Sequence, residues 1–215
     1  LEALGLSLEL SPEAVGRCVD RAGIGFMFAP ALHGAMKHAG PVRREIGVRT
    51  VFNILGPLTN PPAPPYQLIG AWSEAAAKLM ADALAGMPIE RAFVVHGTPG
   101  WDEATPVGEF VLFDVTPNKV SATTRTPEDY GLARCAADDL MGGDAAKNAA
   151  ELARVFNGDD KGPHRDALLM GTSLVLEVQG AAKNAKQGVE MAAAALDDGA
   201  AAEFLGKLRR HFESP

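Results

Sequence analysis

From residue 66 onward, short apolar runs alternate with segments whose apolar residues recur at helical spacing. The runs YQLIGAW, RAFVVHG and GEFVLFDV predict buried strands, and KVSATTRTPEDYGL predicts a further strand and a turn. The second run is almost entirely apolar, which is typical of a parallel strand that is covered on both faces. Between the first two runs, Ser73 caps a predicted helix whose apolar residues share one face. This alternation predicts an α/β fold with a central, mostly parallel sheet flanked by helices.

Helices are predicted on both sides of this region. Ser11 and Pro12 have the residue types of an N-cap and a first helical position, and Gly23 is expected to end that helix soon after residue 21. After Asp144 the chain is expected to be helical to its end. Apolar spacing predicts one helix over 145–156 and another over 168–176, and two alanine-rich helices follow.

The stretch AMKHAGPVRREIGVRTVFNILGPLTNPP at residues 35–62 interrupts the pattern. It holds three arginines and ends in prolines. A short helix is expected around 31–38 and a helical turn through 42–46. Because proline lacks an amide hydrogen and fixes φ, the run VFNILGPLTNPPAPP is expected to end all regular structure and to act as a hinge.

Composition excludes several classes of protein. The chain has 27 acidic and 20 basic residues and a net charge of −7, which argues against a nucleic-acid binder that works through a basic face. Cys18 and Cys135 are far apart, so no disulfide framework or zinc site is expected and a reducing cytoplasm is the natural location. We find no apolar run near the ~20 residues that span a bilayer and no signal peptide. The chain begins with Leu1, so we expect that other residues precede it.

The loop after the second predicted strand holds the first candidate site. Asp102 and Glu103 follow RAFVVHG, and ligands of open α/β sheets bind beyond the carboxyl ends of strands. Two adjacent carboxylates could hold Mg²⁺ when phosphates supply the other ligands. The alternative is a solvated acidic turn, since an Asp-Glu pair by itself is a weak motif.

Basic and imidazole side chains form a second set of candidates. A guanidinium matches a carboxylate or phosphate with two hydrogen bonds, so Arg43, Arg44 and Arg49 could bind an anion. The alternative is a surface helix paired with Glu45. His33 has apolar neighbours and could be a packed side chain or a pocket wall. No histidine shows the pairing of a catalytic triad. The segment Gly142–Gly143–Asp144 is interpreted as an ordinary helix cap.

Long motifs then identify a resemblance. FMFAPALHGAMKHAGPVRREIGVRTVFNILGPLTNPP, YQLIG and VVHGTPGWDEATPVGE together resemble the anthranilate phosphoribosyltransferase family of tryptophan biosynthesis. The opening LEALG resembles the end of that family's SADVLEALG segment. The resemblance extends from the first residue through the acidic loop and, more loosely, to the C-terminal helices.

This resemblance implies a fold and a reaction. The fold is an α/β domain of the nucleoside phosphorylase and phosphoribosyltransferase type, here residues 1–29 and 66–215, with a helical and hinge segment at 30–65 that contributes to a small helical domain. The anthranilate amine attacks C1 of phosphoribosyl pyrophosphate, and pyrophosphate leaves with Mg²⁺ bound. Arg43 matches the arginine that holds the anthranilate carboxylate, His33 matches a histidine near the same substrate, and Asp102 and Glu103 match the acids that bind Mg²⁺. No residue is assigned as a catalytic acid or base. The family commonly forms homodimers.

The chain also departs from the family pattern. His33 is followed by Gly34 where the family usually has proline. The family's GTGGD loop and KHGN-type segment, which bind phosphates, are not in these 215 residues, so we expect this chain alone to be inactive. Two alternatives stay open: an enzyme like pyrimidine-nucleoside phosphorylase, which needs no Mg²⁺ acids, and a non-catalytic relative that binds nucleic acid through an arginine patch.

Overall fold

The computed structural model of the protein describes residues 1–29, 45–47 and 50–213. The predicted helix around 31–38 and most of the predicted turn through 42–46 lie outside these residues. In the described part, the strands form one four-stranded sheet: β1 (Tyr66–Gly70), β2 (Arg91–Gly97), β3 (Phe110–Thr116) and β4 (Lys119–Arg125). The α-helices found there are α1 (Pro12–Ala22), α2 (Phe52–Leu58), α3 (Glu74–Ala85), α4 (Ala145–Phe156), α5 (Pro163–Val178), α6 (Ala185–Asp197) and α7 (Ala200–Glu213). Short 3₁₀ helices cover Glu2–Leu4, Pro127–Tyr130 and Ala137–Leu140.

The predicted α/β class is confirmed, but the described sheet is mixed rather than mostly parallel. Its order is β1-β2-β3-β4, with β1 and β2 parallel and the other two pairs antiparallel. Helix α3 provides the crossover that a parallel pair requires. The loop over 98–109 contains no helix, and Pro117 and Asn118 alone join β3 to β4, so both of these connections return the chain antiparallel.

Strand β2 is buried on both faces. Its residues Ala92 and Val94 pack with α3, where Met80 and Leu84 are almost fully buried. Its other face packs against α5 in the cluster formed by Phe93, Val95, Phe110, Met170 and Leu174. The near-continuous apolar sequence of this strand follows from the double coverage.

The predicted helix caps are confirmed. The side chains of Ser11, Ser73 and Asp144 each accept a hydrogen bond from a backbone amide in the first turn of α1, α3 and α4, respectively. Gly23 ends α1 with a φ of 79°, a value that glycine adopts without a steric penalty. These helix ends are therefore fixed by local chemistry.

The prediction that the proline-rich run ends all regular structure was wrong for its first part, which forms α2. Pro57 lies inside this helix and lacks the amide that would bond to the fourth carbonyl before it. The helix nevertheless reaches Leu58, and the Thr59 amide and hydroxyl both donate to the Leu55 carbonyl, at 2.9 and 2.8 Å. Ile54 and Leu58 pack against the core beside α3. These contacts of two partly buried side chains support the helix despite the missing amide.

Charged side chains of the sheet pair with one another and with helix α5. The Arg91 guanidinium donates two hydrogen bonds to the Asp114 carboxylate, at 2.9 and 2.7 Å, and these bonds are the main reason that the pKa of Arg91 is raised. Arg125 donates to the Glu177 carboxylate at 2.9 Å and to the Tyr130 hydroxyl at 3.0 Å. The buried Glu177 carboxylate and the partly buried Asp114 carboxylate therefore each have a guanidinium partner, as burial of charge requires.

The first residues of the chain pack against its last helix. Leu4, Leu6, Leu205 and Leu208 form a separate buried cluster. The Arg209 guanidinium donates to the Leu4 carbonyl at 2.5 Å.

Among the residues that the structure describes, no helix combines the length and apolar character needed to cross a bilayer.

Candidate functional site

The acidic pair lies where the parallel strands end. Strand β2 ends at Gly97, and the loop over 98–109 then carries Asp102 and Glu103 across the carboxyl ends of β1 and β2. Ligands of α/β proteins bind at this edge of the sheet. The structure therefore places both predicted metal ligands at the edge where the chain order led us to expect them.

The backbone of this loop packs against two glycines at the ends of β1 and β2. We call residues 98–109 the acid loop and the surface formed by these two glycines its seat. A Cβ built on Gly70 would lie 1.6 Å from the carbonyl oxygen of Asp102, and one built on Gly97 would lie 2.3 Å from that of Glu103. No side chain fits in either space, so the backbone of the acidic pair lies directly against the two strand ends. Glycine is required here for close approach of two backbones.

Backbone hydrogen bonds hold the acid loop in this seat. The Gly97 amide donates to the Trp101 carbonyl at 2.9 Å, and the Trp101 amide donates to the Gly97 carbonyl at 3.0 Å. Further along, the amide and hydroxyl of Thr98 both donate to the Glu109 carbonyl, at 3.1 and 2.9 Å. The loop is closed at both ends, which positions the two carboxylates between them.

The electrostatics of the pair favour a bound cation. Asp102 and Glu103 are both exposed to solvent. The pKa of Glu103 is nevertheless raised, first because nearby protein atoms desolvate its carboxylate and second because of the negative charge of Asp102. A divalent cation would offset both effects. The oxygen-only pair suits Mg²⁺, which prefers carboxylate ligands and retains positions for phosphate oxygens and water.

The pair is not part of a larger ligand cluster. Within the described residues, no group of three or more His, Cys, Asp and Glu side chains could hold a metal ion. Two carboxylates suit a metal that is shared with a phosphate-bearing substrate better than a metal held in an all-protein cage. The residues present therefore fit Mg²⁺ as it occurs in phosphoryl-substrate sites.

The other predicted site residues lie outside the described part of the chain. These are His33 and Arg43, together with Arg44 and Arg49. Their roles stay predictions that rest on the sequence.

The segment before α4 is confirmed as an ordinary cap. The Asp144 carboxylate accepts the Lys147 amide at 2.8 Å, and the Asn148 side-chain oxygen accepts the Gly143 amide at 2.7 Å. Side chains of the protein thus already occupy two of the amides that an anion at this helix start would use. Burial raises the pKa of the Cys135 thiol, and the charges of Asp139 and Asp166 add to this, so the thiol is a weak nucleophile.

Sequence reasoning missed the role of His96 at this edge. Its Nδ1 lies 2.8 Å from the carbonyl oxygen of Ala71, the first residue after β1. In the sequence, this role was indicated by the position of His96 immediately before Gly97, the last residue of β2. The partner is 25 residues away, so only the pairing of the two strands reveals the contact.

Comparison with known proteins places this arrangement in a family. Residues 1–202 match the family described as "Glycosyl transferase family, a/b domain", and the chain belongs to this family. It is 49% identical over 209 residues to the anthranilate phosphoribosyltransferase of Geotalea daltonii, a match that covers 97% of this chain and 59% of that protein. With the enzyme of the same name from Rubrobacter xylanophilus it shares 46% identity over 210 residues, or 98% of this chain and 61% of that protein.

Solved structures agree with this assignment. The crystal structure of anthranilate phosphoribosyltransferase from Thermus thermophilus matches with a TM-score of 0.90 and 40% identity, over 99% of this chain and 63% of that one. The Saccharomyces cerevisiae enzyme in complex with PRPP and Mg matches with a TM-score of 0.90 and 26% identity, over 100% of this chain and 62% of that one. The chain thus spans about three fifths of the length of these relatives.

Proposed function

We propose that this chain is the portion of an anthranilate phosphoribosyltransferase that binds anthranilate and the metal. The reaction joins the anthranilate nitrogen to C1 of phosphoribosyl pyrophosphate, breaks the bond from C1 to the pyrophosphate oxygen, and releases the amine proton to solvent. The observation that carries the proposal is the seating of Asp102 and Glu103 at the carboxyl edge of the sheet in a chain 49% identical to an enzyme of that name.

The acidic pair would hold Mg²⁺ through carboxylate oxygens. When bound, Mg²⁺ neutralises negative charge on the leaving pyrophosphate. The loop's contribution is position, because the backbone of Asp102 and Glu103 lies directly against Gly70 and Gly97. A yeast relative has been solved in complex with PRPP and Mg, which supports this assignment.

Arg43 and His33 would form the anthranilate side of the site. A carboxylate next to an aromatic ring needs a fixed cation when it leaves water, and a guanidinium supplies two parallel hydrogen bonds. A yeast relative has been solved with 4-fluoroanthranilate, a substrate-like acid. Catalysis then depends on orientation and charge compensation, with no residue of this chain assigned as acid or base.

We also propose the wider organisation implied by the family. Residues 1–29 and 66–215 would belong to the α/β domain, and 30–65 would contribute to a small helical domain. The whole enzyme would act as a cytoplasmic homodimer, without nucleic-acid or membrane partners. Size-exclusion chromatography with light scattering tests the dimer.

The decisive experiment follows anthranilate fluorescence with phosphoribosyl pyrophosphate and Mg²⁺, on protein of verified mass. A protein of only these 215 residues is expected to leave anthranilate unconsumed, because the sequence contains no glycine-rich phosphate loop. A longer polypeptide that includes the family's phosphate-binding segments should turn over anthranilate. In that polypeptide, Arg43→Ala should reduce turnover by about 10²-fold or more, because it removes a charge-assisted hydrogen-bonded pair at the reacting site.

Two outcomes would contradict the proposal. Turnover by the 215-residue protein would mean that it contains a phosphate site not recognised in its sequence. Phosphorolysis of a pyrimidine nucleoside by the longer polypeptide, without anthranilate consumption, would assign it to the phosphorylases.

A further inference from the structure

His96 is bonded to the backbone of the neighbouring strand rather than to another side chain. Its Nδ1 lies 2.8 Å from the Ala71 carbonyl oxygen. A carbonyl oxygen only accepts, so Nδ1 carries the hydrogen and donates it. His96 is half-buried, and Ala71 is fully buried.

The register of the parallel pair explains why this bond is needed. Gly70 pairs with Val95, so Ala71 is next in register with His96. The Ala71 amide continues the ladder and donates to the Val95 carbonyl at 2.9 Å. In a regular parallel ladder the Ala71 carbonyl would then accept the amide of Gly97.

Gly97 uses its amide elsewhere. It donates to the Trp101 carbonyl at 2.9 Å and so holds the start of the acid loop. The buried Ala71 carbonyl would be left without its ladder partner, and an unpaired buried carbonyl is costly. The His96 Nδ1–H takes the place of the missing ladder donor.

We propose that His96 is a positioning residue for the metal-binding pair. By satisfying the Ala71 carbonyl, it leaves the Gly97 amide available to hold Trp101, and this sets Asp102 and Glu103 against Gly70 and Gly97. The inference rests on the proposed function, in which this pair binds Mg²⁺. Without the imidazole, the Ala71 carbonyl competes for the Gly97 amide and the acid loop moves away from its seat.

Two substitutions of His96 separate this role from packing. His96→Leu removes the donor, whereas His96→Asn retains an N–H at the same number of bonds from the backbone as Nδ1. The probe is Mn²⁺ alone, and binding is measured as paramagnetic broadening of the backbone amide signals over 98–104. Amide exchange at Trp101, whose amide donates to the Gly97 carbonyl, reports whether the start of the acid loop stays closed.

We expect His96→Leu to weaken Mn²⁺ binding by roughly three- to ten-fold, the effect of losing one neutral hydrogen bond. Exchange at the Trp101 amide should become faster by a similar factor. His96→Asn should restore both values. A role in packing alone would lower the thermal midpoint of His96→Leu without changing Mn²⁺ affinity well below that midpoint.

Asp102→Asn serves as the reference variant. If it weakens Mn²⁺ binding while folded His96→Leu binds like the unmodified protein, the positioning role is refuted and the metal assignment stands. A folded His96→Asn variant that fails to restore binding also refutes the role. If the unmodified protein shows no broadening centred on the acid loop, or if Asp102→Asn does not reduce it, the acid loop does not bind Mn²⁺ by itself and the inference fails, while the anthranilate assay decides the proposed function separately.

Discussion

At the scale of single residues, the candidate site depends on two glycines as much as on its two acids. Gly70 and Gly97 leave room for the backbone of Asp102 and Glu103, and a Cβ at either position would overlap a carbonyl oxygen. The two acids are consecutive in sequence, but their position against the sheet comes from glycines on two different strands. Substitution of these glycines should therefore displace the acidic pair.

Gly70→Ala should displace the acid loop, because its Cβ would lie 1.6 Å from the Asp102 carbonyl oxygen. We expect a loss of about 1–3 kcal/mol in the free energy of unfolding, as for other overpacked sites, together with weaker Mn²⁺ binding. Gly16→Ala in α1 is the matched control, since a Cβ there meets nothing within 4 Å. It should stabilise the protein by up to about 1 kcal/mol. Chemical denaturation compares the two, and equal effects would contradict the proposed seat.

The pKa of Glu103 should fall when the charge of Asp102 is removed. Burial is the larger cause of the raised pKa and Asp102 is the second, so Asp102→Asn should lower the value while leaving it above that of an ordinary glutamate. Because folding raises this pKa, the associated stability is present in acid and is lost as pH rises through the folded value. Carboxyl-detected NMR titration measures the shift. An unchanged pKa would mean that the two carboxylates do not interact.

At the scale of elements, local sequence patterns predicted helices well and the sheet less well. The caps at Ser11, Ser73 and Asp144 act within one turn, so their residue types reveal them. Helix α2 was missed because the effect of Pro57 was judged locally, whereas packing of Ile54 and Leu58 against the core stabilises the helix. The antiparallel direction of β3 and β4 depends on loop paths that periodicity does not encode.

The ion pair between β4 and α5 should matter more than an ion pair on the surface. Arg125→Met leaves the buried Glu177 carboxylate without its guanidinium, and we expect a loss of about 3 kcal/mol or more in the free energy of unfolding. Lys78→Met breaks the exposed pair with Asp82 and should cost less than about 0.5 kcal/mol. Urea denaturation at neutral pH tests both. If both variants lose a similar free energy of unfolding, burial of Glu177 does not determine how much its ion pair contributes to stability.

At the scale of the whole molecule, the two ends of the chain stabilise each other. Leu4 and Leu6 share a buried cluster with Leu205 and Leu208, and Arg209 bonds to the Leu4 carbonyl. The first turn of the chain contains too few residues to bury its leucines alone. Its order therefore depends on α7.

Leu208→Ala should loosen both ends together. We expect a loss of about 2–3 kcal/mol in the free energy of unfolding from the deleted buried methyl groups and the cavity. Amide exchange over 1–6 should become faster as well. Leu79→Ala is the control, because Leu79 is 55% exposed on α3 and should cost under about 1 kcal/mol. Unchanged exchange over 1–6 would show that the two ends fold independently.

The sequence by itself determined the α/β class, the helix caps, the strand positions and the resemblance that pointed to the family, because these depend on neighbouring residues and on long motifs. It also placed Asp102 and Glu103 after a strand. Only the tertiary structure decided the mixed direction of the sheet, the glycine seat of the acid loop and the bond from His96 to Ala71. These features join residues that are distant in sequence, and their geometry exists only once the strands have paired.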